Sequence, residues 1–147
     1  VNEIKYVASV DEEIKALDSI PTKFIAVVNE NDVKNKWEFN RESDSKSSIK
    51  LLKYNLNSIQ YESFSTVNQF AVFSEIYYEN GWNAYVDGEL KPHYQVNYVL
   101  RGMEIPAGKH TIEFKFEPKI IQIGGIISLI SYALLFFIPI SFFIYQS

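Results

Sequence analysis

The chain has 147 residues, a net charge of -4, two histidines and no cysteine, which fits one modest domain and excludes a disulfide framework or a cysteine-ligated zinc. Its acidity is spread along the chain without a lysine and arginine cluster, so the footprint of a nucleic-acid partner is missing. The averages conceal a split: nearly all the charge precedes Lys119, and Ile120 to Tyr145 carries none.

In chain order, "SVDEEIKAL" predicts a short helix. Ser9 can cap its first amides, Glu12 completes a capping box, and Val10, Ile14 and Leu17 fall on one face. Pro21 stands just past its end, and Thr22 to Glu30 then reads as a strand rich in apolar and β-branched residues. Asn31 to Ser48 is polar, with Val33, Trp37 and Phe39 as its apolar anchors, and reads as a long loop. These elements make residues 1–47 a lead-in of helix, strand and loop.

From there strand-sized runs follow at the spacing of an antiparallel β-sandwich: Ile49 to Leu56, Ile59 to Ser65 and Gln69 to Tyr78, with Asn57-Ser58 as the first tight connection. Trp82 to Val86 and Leu90 to Gln95 flank Asp87-Gly88, whose residues tolerate the positive φ of a type I′ turn. Tyr98 to Ile105 and Lys109 to Glu117 are expected to form a last hairpin across Pro106-Ala107-Gly108. The β domain is placed at 48–118. The fold class is mainly β, an antiparallel β-sandwich with a short N-terminal helix and one C-terminal transmembrane helix.

That helix is placed at 120–145. At about 1.5 Å per residue it is roughly 39 Å long, more than a hydrocarbon core of about 30 Å requires. Gly124-Gly125, Ser128 and Ser131 offer a small-residue stripe for another helix. Without an initiator methionine or a leader pattern before it, the chain reads as a fragment of a polytopic protein. Only a short link separates the last strand from the helix, which should hold the β domain close to the bilayer. Lys115 and Lys119 would place that domain in the cytoplasm by charge count.

The candidate sites divide between packing and binding. By alternation Trp82 shares a face with Ala84 and Val86 and reads as core, whereas Tyr85 points with polar neighbours and is open to a sugar-binding role. Asp87 and Glu89 could be paired carboxylates for glycoside chemistry, but the turn explains Asp87 without it. His110 and Glu113 lie an odd number apart on a strand, so they cannot hold one metal together. Arg101 puts a guanidinium in a row with Val99, Met103 and Ile105, and a buried charge needs a partner, either a carboxylate or an anionic glycan or phosphate. No hydrolase, nucleotide or metalloprotease motif occurs.

The combination of "GWNAYVDG", "NYVLRGMEIPAGKH" and a terminal hydrophobic span closely resembles the C-terminal end of the bacterial YfhO membrane proteins. "VNEIKYVASVDEEIKALDS" is similar to the segment before that domain in long members. The resemblance implies a large multi-pass parent, similar to GT-C glycosyltransferases, some members being associated with glycosylating lipoteichoic acid from a lipid-linked sugar. It implies a bacterial cytoplasmic membrane location with the β domain on the extracytoplasmic side, against the charge count.

It also implies that catalysis lies in an earlier loop: no residue here is catalytic, none binds a metal, and no cofactor is expected in this fragment. Tyr85, Asn97 and Arg101 are the expected contacts to an envelope glycan or teichoic-acid-type polymer. Trp82, Asp87, Gly88, Pro106, Gly108 and His110 are expected to maintain the fold. The expected partners are the membrane, other transmembrane helices of the parent and that acceptor. The alternatives are a non-enzymatic structural or interaction module of an envelope membrane assembly, and an accessory domain of a transporter or flippase.

Overall fold

The computed structural model describes residues 1–33, 37 and 46–146, so Phe39 and most of the polar loop lie outside the described residues. The chain divides into two compact units, Val1–Phe116 and Glu117–Ser147. The first contains β1 (Glu3–Val7), α1 (Val10–Leu17), β2 (Ile25–Asn29), a 3-10 turn at Glu30–Asp32, β3 (Ser48–Asn55), β4 (Ser58–Ser65) and β5 (Gln69–Ile76). It continues with β6 (Trp82–Val86), β7 (Glu89–Lys91), β8 (Tyr94–Val96), β9 (Leu100–Ile105) and β10 (Gly108–Phe116).

The fold is mainly β and antiparallel, as the strand spacing predicts. A five-stranded sheet in the order β3-β4-β10-β6-β7 faces a three-stranded sheet in the order β5-β9-β8. Alternation along each strand sends Ile59, Tyr61, Ala84, Val86, Ile112 and Phe114 from the larger sheet against Ala71, Phe73, Met103 and Ile105 from the smaller. Burying a side chain such as Phe114 contributes roughly 1.5–3 kcal/mol, and its ring meets Phe73 edge-on at 4.9 Å.

Three expected connections differ. Leu90 to Gln95 is not one strand: β7 pairs with β6 in the larger sheet and β8 with β9 in the smaller. Pro92, lacking an amide and fixing φ, interrupts the ladder where the chain crosses between sheets. Pro106-Ala107-Gly108 likewise joins strands of opposite sheets, so β9 and β10 form a corner and not a hairpin, with Gly108 at φ 122°. The first tight connection is Leu56-Asn57, because Asn55 pairs with Ser58. Asp87 (φ 51°) and Gly88 (φ 84°) do take the positive values of a type I′ turn.

Ahead of the sandwich, β1 and β2 pair in parallel from Glu3 with Ile25 to Val7 with Asn29, and α1 is the crossover. The sequence reading did not find β1, whose short run lacks a turn signal. Val28, Phe70 and Val96 bury the contact between this pair and the outer face of the smaller sheet, and the Trp37 ring closes it on Phe70 at 4.8 Å and Tyr94 at 4.6 Å. Ser9 caps α1 by accepting from the Glu12 amide at 3.3 Å, while Glu12 reaches back to the amide of Ala8 at 3.0 Å.

The buried face of α1 is Glu13 and Ala16, not the expected row of Val10, Ile14 and Leu17, since Val10 and Ile14 are exposed. Glu13 turns inward because its carboxylate accepts the Tyr98 amide at 2.7 Å. Burial raises its pKa, opposed by that amide.

The corner that Glu13 holds is unusual. Asn97 (φ 48°) and Tyr98 (φ 72°) are both left-handed, and the Val99 amide bonds back to the Asn97 carbonyl at 2.9 Å, closing a γ-turn. Asn97 donates its amide to the Val27 carbonyl at 2.8 Å and accepts the Val27 amide on Oδ1 at 2.8 Å. One buried side chain thus stitches β2 to the end of β8.

The second unit is a single helix, α2 (Lys119–Gln146). Lys119–Ile138 is long and apolar enough to cross a membrane. Ser131 gives its hydroxyl to the Ile127 carbonyl at 2.9 Å, which satisfies that hydroxyl within the helix.

Asn97→Gly keeps the left-handed backbone available and removes only the acceptor for Val27. The expected outcome is a loss of about 1–3 kcal/mol, read from the urea midpoint. Asn97→Ala should lose more, because alanine strains that φ; equal losses would mean that the backbone is not under strain.

Candidate functional site

Arg101 enters the core because its neighbours on β9, Met103 and Ile105, do. Its guanidinium is buried between the rings of Trp82 at 4.3 Å and Phe114 at 5.1 Å, and Nε donates to the Ile76 carbonyl at 2.8 Å. Glu75 lies within electrostatic reach and itself accepts the Tyr61 hydroxyl at 2.6 Å. Desolvation pulls the guanidinium pKa down, and that carboxylate opposes the shift.

The environment of His93 follows from the same charge. Burial first, then repulsion from Arg101, pushes its pKa down to about 4, and its ring lies 5.2 Å from Tyr77 and 6.0 Å from Phe114.

A second cluster forms where the β6–β7 turn meets the β9–β10 corner. Asp87 accepts the Thr111 amide on Oδ1 at 2.8 Å and faces His110 Nδ1 from Oδ2 at 2.6 Å. The other ring nitrogen of His110 meets the Ala107 carbonyl at 3.1 Å. Both partners are acceptors, so this geometry favours an imidazolium that donates twice, and the His110 pKa is raised, first by Asp87 and then by Ala107. The hydrogen bond from His110, then that from Thr111, lowers the Asp87 pKa.

The structure separates the residues expected to bind an acceptor. Arg101 is inside the sandwich, and the Asn97 side-chain oxygen is committed to Val27. Tyr85 lies on the outer face of β6 with the Lys115 ammonium 4.8 Å from its ring. Trp82 packs against the core as its alternation suggests. Asp87, Gly88, Pro106, Gly108 and His110 converge on the turn and corner just described.

What sequence reading missed is a cleft. Among the described residues the larger sheet has two more strands than the smaller, and β3, at its edge beside β4, is exposed along its whole length. Beside it opens a cleft of about 490 Å³ whose walls include Thr22, Lys23, Ser48, Phe64, Gln69 and Ser74. The walls are mostly uncharged, rich in hydroxyls, and include the partly exposed ring of Phe64. Asn97 contributes to this wall, but Tyr85 and Arg101 do not. Among the described residues no three His, Asp or Glu side chains are placed to hold a metal ion.

The family described as bacterial membrane protein YfhO matches residues 25–128, from β2 into the first turns of α2. No curated protein and no solved structure matches the chain.

The two histidines give opposite pH responses. His110, raised above its ordinary 6.5, contributes stability that is full below that value and is lost as pH rises through its folded pKa. Asp87, lowered from 3.8, contributes stability present above that value and lost as pH falls through its folded pKa. His93 stays neutral in the fold while the unfolded chain takes up a proton below 6.5, so stability drains away from there down to about pH 4. In urea titrations from pH 4 to 8, His93→Leu should flatten the acid loss, and His110→Gln should cost most near pH 5 and less as pH rises through the folded His110 pKa.

The guanidinium has its own expected outcome. Arg101→Ala should destabilise by about 2–5 kcal/mol, since it opens a cavity between Trp82 and Phe114 and removes a cation within electrostatic reach of Glu75, and Arg101→Met should recover part of the loss by refilling the space. Equal urea midpoints for Arg101→Ala and the parent chain would contradict this placement.

Proposed function

The chain belongs to the YfhO family of bacterial membrane proteins, and on that premise we propose that it is an envelope-facing acceptor domain with the last membrane helix of a multi-pass parent. The parent transfers a sugar from a lipid-linked donor to a cell-envelope acceptor, and this part positions the acceptor without catalysing the transfer. The β unit lies on the extracytoplasmic side, and α2 packs in the bilayer against other helices of the parent through its small-residue stripe.

The observation that carries this reading is the cleft beside β3. Its volume is in the range of small-molecule sites. Hydroxyl and amide groups suit the donors and acceptors of a sugar, and an exposed phenyl ring suits the apolar face of a pyranose. Lys23 places a cation among the lining residues, which fits a phosphate-bearing polymer of the teichoic-acid type. The contacts assigned to the acceptor are therefore Phe64, Ser74 and Lys23, with Asn97 in the wall beside them.

The long exposed edge of β3, with Ile49, Leu51, Leu52 and Tyr54 uncovered alongside Lys50 and Lys53, favours the second reading, a non-enzymatic interaction module to which another strand is added. The two separate in one titration. Full-length chain in detergent micelles is titrated with envelope glycans and teichoic-acid-type polymers, following tyrosine and tryptophan fluorescence. Saturable binding weakened roughly tenfold by Phe64→Ala, with unchanged circular dichroism, is the expected outcome. Absence of binding at millimolar glycan would leave the interaction module.

A further inference from the structure

One end of the β unit is unusually apolar, and strand register identifies it. Strand β10 leaves the larger sheet at Phe116, which pairs with Trp82, and the Phe116 amide donates to the Asn57 carbonyl at 2.9 Å. The β3–β4 turn therefore sits at this end. So does the end of β5, because Ile76 pairs with Leu100 at the start of β9. Four large side chains project here with little protein over them: Leu56 is 95% exposed, Ile76 70%, Tyr54 64% and Tyr78 52%. Tyr78 and Phe116 flank Gly81, so this group is continuous with the last residue of the sandwich.

A leucine at the tip of a two-residue turn, exposed almost as fully as in an extended chain, has no packing reason to be there. Connectivity supplies one. Only Glu117 and Pro118 separate β10 from α2, so the helix start lies within about 11 Å of Phe116 along the chain. If α2 crosses the membrane, this end of the β unit cannot stand far from the lipid headgroups. Tyrosines at that level would put rings among the acyl boundary and hydroxyls in the headgroups, as interfacial aromatics do.

We propose that the Leu56 end of the β unit is a lipid-contact surface, with Leu56 and Ile76 dipping into the bilayer interface and Tyr54 and Tyr78 at the headgroup level. The occupant is lipid, because a two-residue link ties this end of the β unit to a helix long and apolar enough to enter a bilayer. The lining of the glycan cleft includes Ser48, Gln69 and Ile105, and Ser48 and Gln69 open β3 and β5 at the opposite end of these strands. The proposal rests on α2 being the membrane span and is independent of whether that cleft holds a glycan.

The chain lacks cysteine, so single cysteines report cleanly. Full-length chain bearing Leu56→Cys, Ile76→Cys, Ala107→Cys or Leu129→Cys is labelled with an environment-sensitive fluorophore. Each labelled chain is reconstituted into phosphatidylcholine and phosphatidylglycerol vesicles with or without brominated acyl chains. Expected is strong quenching by bromolipid at 129, clear quenching at 56 and 76, and none at 107, where aqueous iodide should quench instead.

Quenching at 129 with positions 56 and 76 open to iodide would overturn the proposal while leaving α2 in the membrane. Shielding of 56 and 76 from both quenchers would overturn it in favour of a protein partner. Absence of quenching at 129 would remove the membrane reading itself, and the proposal with it.

Discussion

A guanidinium inside a two-sheet core is the constraint around which the rest of the β unit is arranged. Arg101 cannot give up its charge, so its surroundings must compensate for lost water. They do so with two aromatic faces, one backbone carbonyl and a nearby carboxylate, drawn from β5, β6 and β10. Burial keeps His93 neutral and the same charge adds to that effect, while the Trp82 ring packs 4.3 Å from the guanidinium. A buried cation of this sort adds little net stability over a well-packed apolar side chain, and one Nη of Arg101 finds no hydrogen-bond partner among the described residues.

Around this centre the N-terminal β1–α1–β2 piece is attached by an apolar contact around Val28, Phe70 and Val96 together with a few directed bonds. Asn97 pairs with Val27 and Glu13 holds the Tyr98 amide, both at a left-handed corner that only these bonds justify. Two adjacent residues in that conformation cost of order 1–3 kcal/mol each, so the corner exists because the docked piece over-determines it. It is also the wall of the cleft, through Asn97 and Leu100. The shape of the cleft is therefore coupled to the attachment of the N-terminal strands.

How much of this the sequence displays depends on the range of the interaction. The Ser9 cap, the Asp87-Gly88 turn, most of the strands and the apolar helix are local and are legible from neighbouring residues. Sheet membership is not: Pro106-Ala107-Gly108 announces a reversal of direction, and nothing local says that the chain changes sheets while reversing. The partners of Arg101 and Asn97 lie far along the chain, so the residues stand out by type while their roles do not. Glu13 hides in an apparently ordinary amphipathic helix because its acceptor role serves a corner near the other end of the unit. The cleft is least visible of all, since it comes from one sheet being wider than the other.

The placement of β10 has a mechanical consequence. It is the central strand of the larger sheet, flanked antiparallel by β4 and β6 over most of its length, and it is the strand that continues into α2. A pull on the helix along the strand axis loads those ladders in shear, so their hydrogen bonds share the force and do not open one at a time. An edge strand in that position would peel. The link to α2 is thus built into a strand held on both sides, and a force on that helix reaches the sandwich without first peeling an edge.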